Sequence, residues 1–196
     1  MSSPSLAVSL MSLSPMKRID SILAVLALCF LTGCGESSLE TSFVSQSEKI
    51  DEYVSKQMDS HPEYRAEYKD GVVRLIVSEG EGDGLEPGGD VTFYYAGYNF
   101  NNTSISASTM FATNDPDIAA SAKWKLSDST LFQPLTVTLG KDPLVKGLEL
   151  GLEGVKTGED SYILFSGRYG FGKHTLGTIP ANAAICYHIR VEEVTR

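Results

Sequence analysis

Lys141-Asp142-Pro143-Leu144-Val145-Lys146-Gly147-Leu148-Glu149-Leu150-Gly151-Leu152-Glu153-Gly154 is the stretch on which the fold turns. Asp142 carries a helix N-cap side chain, a carboxylate that can accept from the free N–H groups of a first turn. Pro143 suits the first helical position, where its missing N–H costs nothing. Leu144, Val145, Leu148 and Leu152 then share one apolar face, and Gly154 supplies a left-handed stop. Glu149, Glu153 and, a little further on, Glu159 read as a solvated face.

Around this helix the sequence has the period of strands. Val73, Leu75 and Val77 alternate with Val72, Arg74 and Ile76. The Gly-rich residues 80–84 turn the chain, and their G-x-G opens no helix, so a dinucleotide fingerprint is not supported. Strands are predicted over residues 91–96, 135–139, 162–165 and 184–194. A long polar connection, 98–131, holds a brief strand at Met110-Phe111, and residues 168–178 form a Gly-rich loop. Several antiparallel strands and one central helix make an α+β domain. Further upstream, Ile50, Tyr53, Val54 and Met58 recur at helical spacing and predict a short amphipathic helix over residues 47–58. It is expected to pack on its own domain, with a homodimer through the same helix as the alternative. The Ser-rich residues 35–47 before it read as a flexible tether, and residues 61–69 after it as a linker.

The N-terminus reads as an address. Lys17 and Arg18 precede an apolar run too short to span a bilayer, which takes about 20 residues. The run ends in Leu31-Thr32-Gly33-Cys34, which resembles the bacterial lipobox, a signal in which the cysteine is lipidated and becomes the mature N-terminus. Residues 1–33 are thus a lipoprotein signal peptide, with Met16 read as the start because an unusual Ser-rich leader lies ahead of it. Acyl chains on Cys34 would tether the protein to a membrane that the polypeptide does not cross. Gly35 in the next position makes the outer membrane, facing the periplasm, the default expectation. The resulting division is 1–33 signal, 34–70 tether and helix, and 71–196 folded domain.

Composition narrows the chemistry. The chain of 196 residues carries a formal net charge of -9, which argues against binding nucleic acid, since that needs clustered Lys and Arg. Cys29, Cys34 and Cys186, with His61, His174 and His188, show no metal-ligand spacing. The histidines read as surface or strand residues. No nucleophile motif of the G-x-S-x-G kind occurs. Neither a metal nor a cofactor is expected.

From Gly89 to Val194 the chain resembles the FKBP-type peptidyl-prolyl cis-trans isomerases. Gly89-Asp90-Val91-Thr92-Phe93-Tyr94-Tyr95-Ala96-Gly97 is similar to the family's second strand. Leu139-Gly140-Lys141 with Leu144-Val145-Lys146-Gly147-Leu148-Glu149-Leu150-Gly151-Leu152 is similar to the start of its helix. Val155-Lys156-Thr157-Gly158-Glu159 matches its turn. Tyr169-Gly170-Phe171-Gly172 and Ile179-Pro180-Ala181-Asn182-Ala183 match its flap. The resemblance implies a twisted antiparallel sheet wrapped around one helix, and a pocket in which Tyr95, Phe111, Val145, Phe171, Ile179 and Tyr187 act on the prolyl bond. Leu135, Val137, Leu144 and Leu148 would bind substrate, and the Val145 N–H would donate to the bound chain. The family's Phe-Asp pair is Phe111-Ala112 here. Its pocket tryptophan is Leu148, a pocket phenylalanine is Leu135 and the flap tyrosine is Phe171. The connection between Gly97 and Pro134 is lengthened and carries Trp124. The function implied is isomerisation of X–Pro bonds in exported client polypeptides. The alternative is a non-catalytic binding or chaperone module of the cell envelope.

Overall fold

The computed structural model describes residues 34–100, 104–124 and 132–195. The expected signal peptide and the expected start at Met16 lie outside the described residues. Helix α1 spans Cys34–Ser60. Strands β1 (Arg65–Lys69), β2 (Val72–Ser78) and β3 (Asp90–Asn99) follow, then a 3-10 turn at Ala107–Thr109, β4 (Met110–Thr113) and the short helix α2 (Pro116–Ser121). Strand β5 (Leu135–Thr138), helix α3 (Lys146–Leu152), β6 (Asp160–Phe165), a second 3-10 turn at Gly167–Tyr169 and β7 (Ile185–Thr195) complete the order. The strands form one antiparallel sheet in the order β1-β2-β6-β7-β3-β4, with β5 on β3.

The expected sheet and central helix are present, but the sheet is buried on both faces. On one face, α3 places Leu148 and Leu152 against Phe93, Ile163, Phe165, Ile185 and Ile189. On the other, Ile50, Tyr53 and Val54 of α1 meet Val73, Leu75, Ala96, Leu164 and Cys186. Strand period two divides the residues between the faces, as with Ile163 and Phe165 against Leu164 on β6. Double burial explains why β2 reads as a nearly continuous apolar run, VVRLIVS. The apolar stripe of α1 is therefore occupied by its own domain.

Two segments differ from expectation. Residues 35–47, read as a tether, are helical, and α1 is more than twice the length expected. The compact unit that contains the sheet begins at Ser42, and the described residues 34–41 belong to a separate unit. In that unit the Thr41 hydroxyl donates back to the Ser37 carbonyl at 2.8 Å, one helical turn earlier. Residues 61–69, read as a linker, contain β1. This strand pairs with β2 from Arg65↔Ile76 to Lys69↔Val72 through a turn in which Asp70 and Gly71 both take positive φ. Its side chains are mostly exposed, so it lacked the apolar alternation of a buried strand.

The start of α3 also differs. Val145, not Asp142, occupies the N-cap, with φ −63° and ψ 136°. The Asp142 carboxylate instead accepts the Thr138 N–H at 2.7 Å and closes the turn after β5. The same Asp-Pro pair does cap a helix at Asp115-Pro116, where Asp115 accepts from the N–H groups of Asp117 and Ile118. At the other end, Gly154 has φ +84° as expected and donates its N–H to Leu85 O at 2.8 Å.

The last carbonyls of α3 are satisfied by Arg74, 5 % exposed on β2. Its Nη1 donates to Gly151 O at 3.2 Å and Glu153 O at 2.8 Å, a cation at the negative end of the helix. Its Nη2 pairs with Glu67, and its Nε lies 3.5 Å from Glu159 Oε1. Glu159 is thus no solvated residue: it is 3 % exposed and accepts from the Ser161 hydroxyl at 2.9 Å and the Lys156 N–H at 3.3 Å.

Burial pushes the Glu159 carboxyl above its ordinary value of 4.5, more than Arg74 and these hydrogen bonds pull it down. A carboxyl raised in the folded state binds its proton more tightly there than in the unfolded chain. Its contribution to stability is full below 4.5 and is lost as pH rises through the raised value. Denaturant titrations of the chain and of Glu159→Gln, from pH 4.5 to neutrality, are expected to show the unsubstituted chain losing stability relative to the variant as pH rises. Parallel profiles would contradict the assignment.

Candidate active site

A cavity of about 320 Å³ opens at the N-terminal end of α3, toward the lower end of the usual range for small-molecule sites. It is lined by Phe93, Tyr95, Phe111, Ala112, Leu135, Pro143, Leu144, Val145, Leu148, Phe171, Ile179 and Tyr187. Nine of the ten pocket positions expected from the sequence are therefore brought together from β3, β4, β5, the turn before α3, α3 itself, the flap and β7. The exception is Val137. It is buried, stands opposite Val91 in the ladder and lies two residues along β5 from Leu135, within the core and off the cavity wall. Ala112, at the family's aspartate position, lines the wall too, as do Phe93 and Pro143, which were not singled out as pocket residues. Phe93 is fully buried beneath Tyr95, and its alternating strand pattern reads as ordinary core.

Aromatic edges fix the shape. Phe111 meets Phe171 at 5.9 Å and 87°, and Tyr187 at 5.9 Å and 89°. Tyr95 meets Tyr187 at 5.9 Å and 65°. Such edge-to-face pairs favour one arrangement beyond simple burial. Gly97 makes room for it, because a Cβ there would stand 2.5 Å from the Phe111 ring and 3.0 Å from that of Tyr187. Burial pushes both phenols, Tyr95 and Tyr187, up, so each remains a neutral donor and acceptor at physiological pH. No charged side chain lines the wall among the described residues. Leu135, 40 % exposed, stands at its rim.

The wall around Phe111 is pinned by a residue that sequence reasoning missed. Asn114 is buried and bridges three segments. Its Oδ1 accepts the Tyr95 N–H at 2.6 Å, and its Nδ2 donates to Phe93 O at 3.3 Å and Gln133 O at 2.9 Å. The Thr113 hydroxyl donates to Tyr95 O at 2.7 Å. Asp115, 1 % exposed, holds Arg190 of β7 at 2.8 Å, and that guanidinium lies 5.5 Å from the centre of the Tyr94 ring. Thr-Asn-Asp-Pro at 113–116 is dense in side chains that bond backbone, which is the one local signal for this anchor. The partners themselves lie in other strands, out of reach of any local pattern.

The flap runs from Phe171 to Ala183. Its tip is a tight hairpin in which Leu176 and Ile179 exchange both backbone hydrogen bonds at 2.9 Å around Gly177, φ +58°. Asn99 Nδ2 holds the tip through Thr178 O at 3.0 Å, and Asn182 N–H closes the base on Gly172 O at 2.8 Å. Leu176 is left 58 % exposed beside the mouth.

An antiparallel sheet packed on helix α3, with an uncharged aromatic cavity at the helix start, presents a wall whose composition suits an apolar group. Residues 83–192 match the model of the FKBP-type peptidyl-prolyl cis-trans isomerase family. The chain is 27% identical over 127 residues to an FK506-binding protein of Neisseria meningitidis, covering 63% of this chain and 96% of that one. It is 32% identical over 126 residues to the inactive peptidyl-prolyl cis-trans isomerase FKBP6 of Rattus norvegicus, of whose length it spans about a third, 32%. Among solved structures, FkpA from Escherichia coli superposes with a TM-score of 0.51 at 18% identity, over 93% of this chain and 74% of that one, a likeness of fold. The chain belongs to the FKBP-type peptidyl-prolyl cis-trans isomerase family, and its chemistry is rotation about the peptide bond that precedes proline.

Proposed function

We propose that the cavity binds X–Pro segments of exported polypeptides and speeds their isomerisation by favouring the twisted amide. The observation that carries this reading is the uncharged wall of right-angled rings, closed below by Leu148 and Phe93 and above by the flap. A prolyl bond turns over tens to hundreds of seconds because twisting breaks amide resonance. No bond has to form and no proton has to move. The planar amide is the more polar, charge-separated form, so a dry apolar wall holds the twisted form better than the planar one. That difference is the catalytic advantage. The perpendicular Phe111, Phe171 and Tyr187 rings would hold the proline ring while the preceding carbonyl swings. Val145 N–H, in the extended N-cap conformation on the cavity wall, would hold the chain after proline. Ala112 at the family's aspartate position leaves one polar partner fewer and favours a second reading, a peptide-binding module with little turnover.

The Phe171→Ala variant separates these readings. In a protease-coupled assay on a proline tetrapeptide, the chain is expected to accelerate isomerisation and the variant to lose at least about tenfold in kcat/KM, the equivalent of 1.4 kcal/mol of transition-state stabilisation. A folded chain without acceleration would leave only the binding module.

We also propose that Cys34, the first residue of α1, is lipidated and holds the protein at the periplasmic face of the outer membrane, where unfolded exported chains arrive. The lipobox-like Leu31-Thr32-Gly33-Cys34 supports this. In a bacterial host, the chain is expected in the detergent-soluble membrane fraction with incorporated fatty acid, and Cys34→Ser without it. Equal fatty-acid labelling of both would sink the proposal.

A further inference from the structure

Gln46 sits on α1 and uses both ends of its side-chain amide. Its Nε2 donates to Asn182 O at 2.9 Å, and its Oε1 accepts the Gly167 N–H at 2.7 Å. The partners are 136 and 121 residues away and lie in two loops that touch each other. A Cβ on Gly167 would stand 2.1 Å from Asn182 O, so only glycine lets the two backbones meet there. Asn182 takes φ +55° and closes the flap base by donating its N–H to Gly172 O at 2.8 Å. The flap it closes presents Phe171 and Ile179 to the cavity. Three residues earlier on α1, the Phe43 ring stacks under the Arg168 guanidinium at 5.5 Å, a second contact to the Gly167–Tyr169 turn. Turning the Gln46 amide over would set NH₂ against N–H and oxygen against carbonyl, so one orientation alone satisfies both loops.

We infer that Gln46 is a positioning residue of the isomerase site: through this one amide, α1 fixes the base of the flap that carries Phe171 and Ile179. The inference rests on the cavity being the isomerase site. The helix lies outside residues 83–192, the span that matches the family model. Its consequence lies in binding. A flap released from α1 spends less time in the binding-competent position, which raises the apparent dissociation constant in proportion and leaves the bound reaction intact.

The test compares the full chain with Gln46→Ala, Gln46→Glu and, as a control on the exposed side of the same helix, Ser55→Ala. KM and kcat are measured on a proline tetrapeptide, and amide hydrogen exchange is followed at Gly167 and Asn182. Gln46→Ala removes both hydrogen bonds; loss of the one to Asn182 O, which holds the flap, is expected to raise KM about fivefold, with kcat little changed and both amides exchanging faster. Gln46→Glu keeps the acceptor for Gly167 and loses the donor to Asn182, so Gly167 stays protected while KM rises as in the alanine variant. Ser55→Ala should match the unsubstituted chain. A wild-type KM in Gln46→Ala overturns the inference, as does a fall in kcat alone that tracks loss of folded protein. If the unsubstituted chain shows no turnover, the catalytic reading of the cavity fails by itself. The clamp is then judged by exchange: unchanged protection of Asn182 in Gln46→Ala overturns it, and faster exchange supports it.

Discussion

Two glycines on α3 let the helix lie directly on the sheet, and the cavity exists because they do. A Cβ at Gly147 would stand 2.3 Å from the Phe165 ring, and one at Gly151 would stand 2.2 Å from Ile163 Cγ2. Both contacts are with fully buried side chains of β6 that cannot retreat, because the opposite face of the sheet is packed as well. Glycine is a poor helix former, so this helix is short and depends on its surroundings. The packing of Leu148 and Leu152 and the Arg74 guanidinium across its final carbonyls hold it in place. Its extended N-cap, Val145, together with Leu144 and Leu148, is thereby presented to the cavity.

The second face of the sheet matters for the same reason. With Ile50, Tyr53 and Val54 of α1 covering it, the sheet has a rigid back, and closely packed interiors transmit displacement instead of absorbing it. The buried pair Arg74 and Glu159, joined from the surface by Glu67, sits at the far end of α3 from the cavity. Removing one partner from such a cluster leaves an uncompensated buried charge, which is costlier than the pair itself is valuable. Its part in the fold is therefore to fix where α3 ends.

Apolar order along the chain was legible in the sequence, and the partners of polar side chains were not. The alternation at 72–77 and the leucines of α3 foretold β2 and the helix face, and motifs in series foretold the cavity wall. Asp-Pro occurs twice with opposite outcomes. Asp115 caps α2, whereas Asp142 is drawn to the Thr138 N–H and lies three residues before the N-cap of α3, Val145. The competing bond is local but depends on the turn after β5, which no helix signal describes. β1 was missed because an exposed edge strand needs no apolar alternation. The first half of α1 was missed because serines and glycine read as coil. Glu159 looked like a surface carboxylate because its partner, Arg74, is 85 residues upstream. Asn114 and Gln46 act only on backbone groups of distant segments, so their identity as polar residues carried no clue to their place. Val137 shows the opposite error: on a strand entering the core, one step of two residues separates cavity wall from interior.

A cavity of this kind works by exclusion and shape, so its chemistry depends on how firmly the wall is held. The seat of α3 is the contact on which the wall stands, and denaturant unfolding of Gly151→Ala measures it most directly. In an ordinary exposed helix this change stabilises by about 1 kcal/mol. Here the added methyl meets Ile163, and the variant is expected to lose about 1–3 kcal/mol, together with affinity for proline peptides. A variant as stable as the unsubstituted chain, or more so, with its peptide affinity intact, would contradict the dependence of the cavity on that contact.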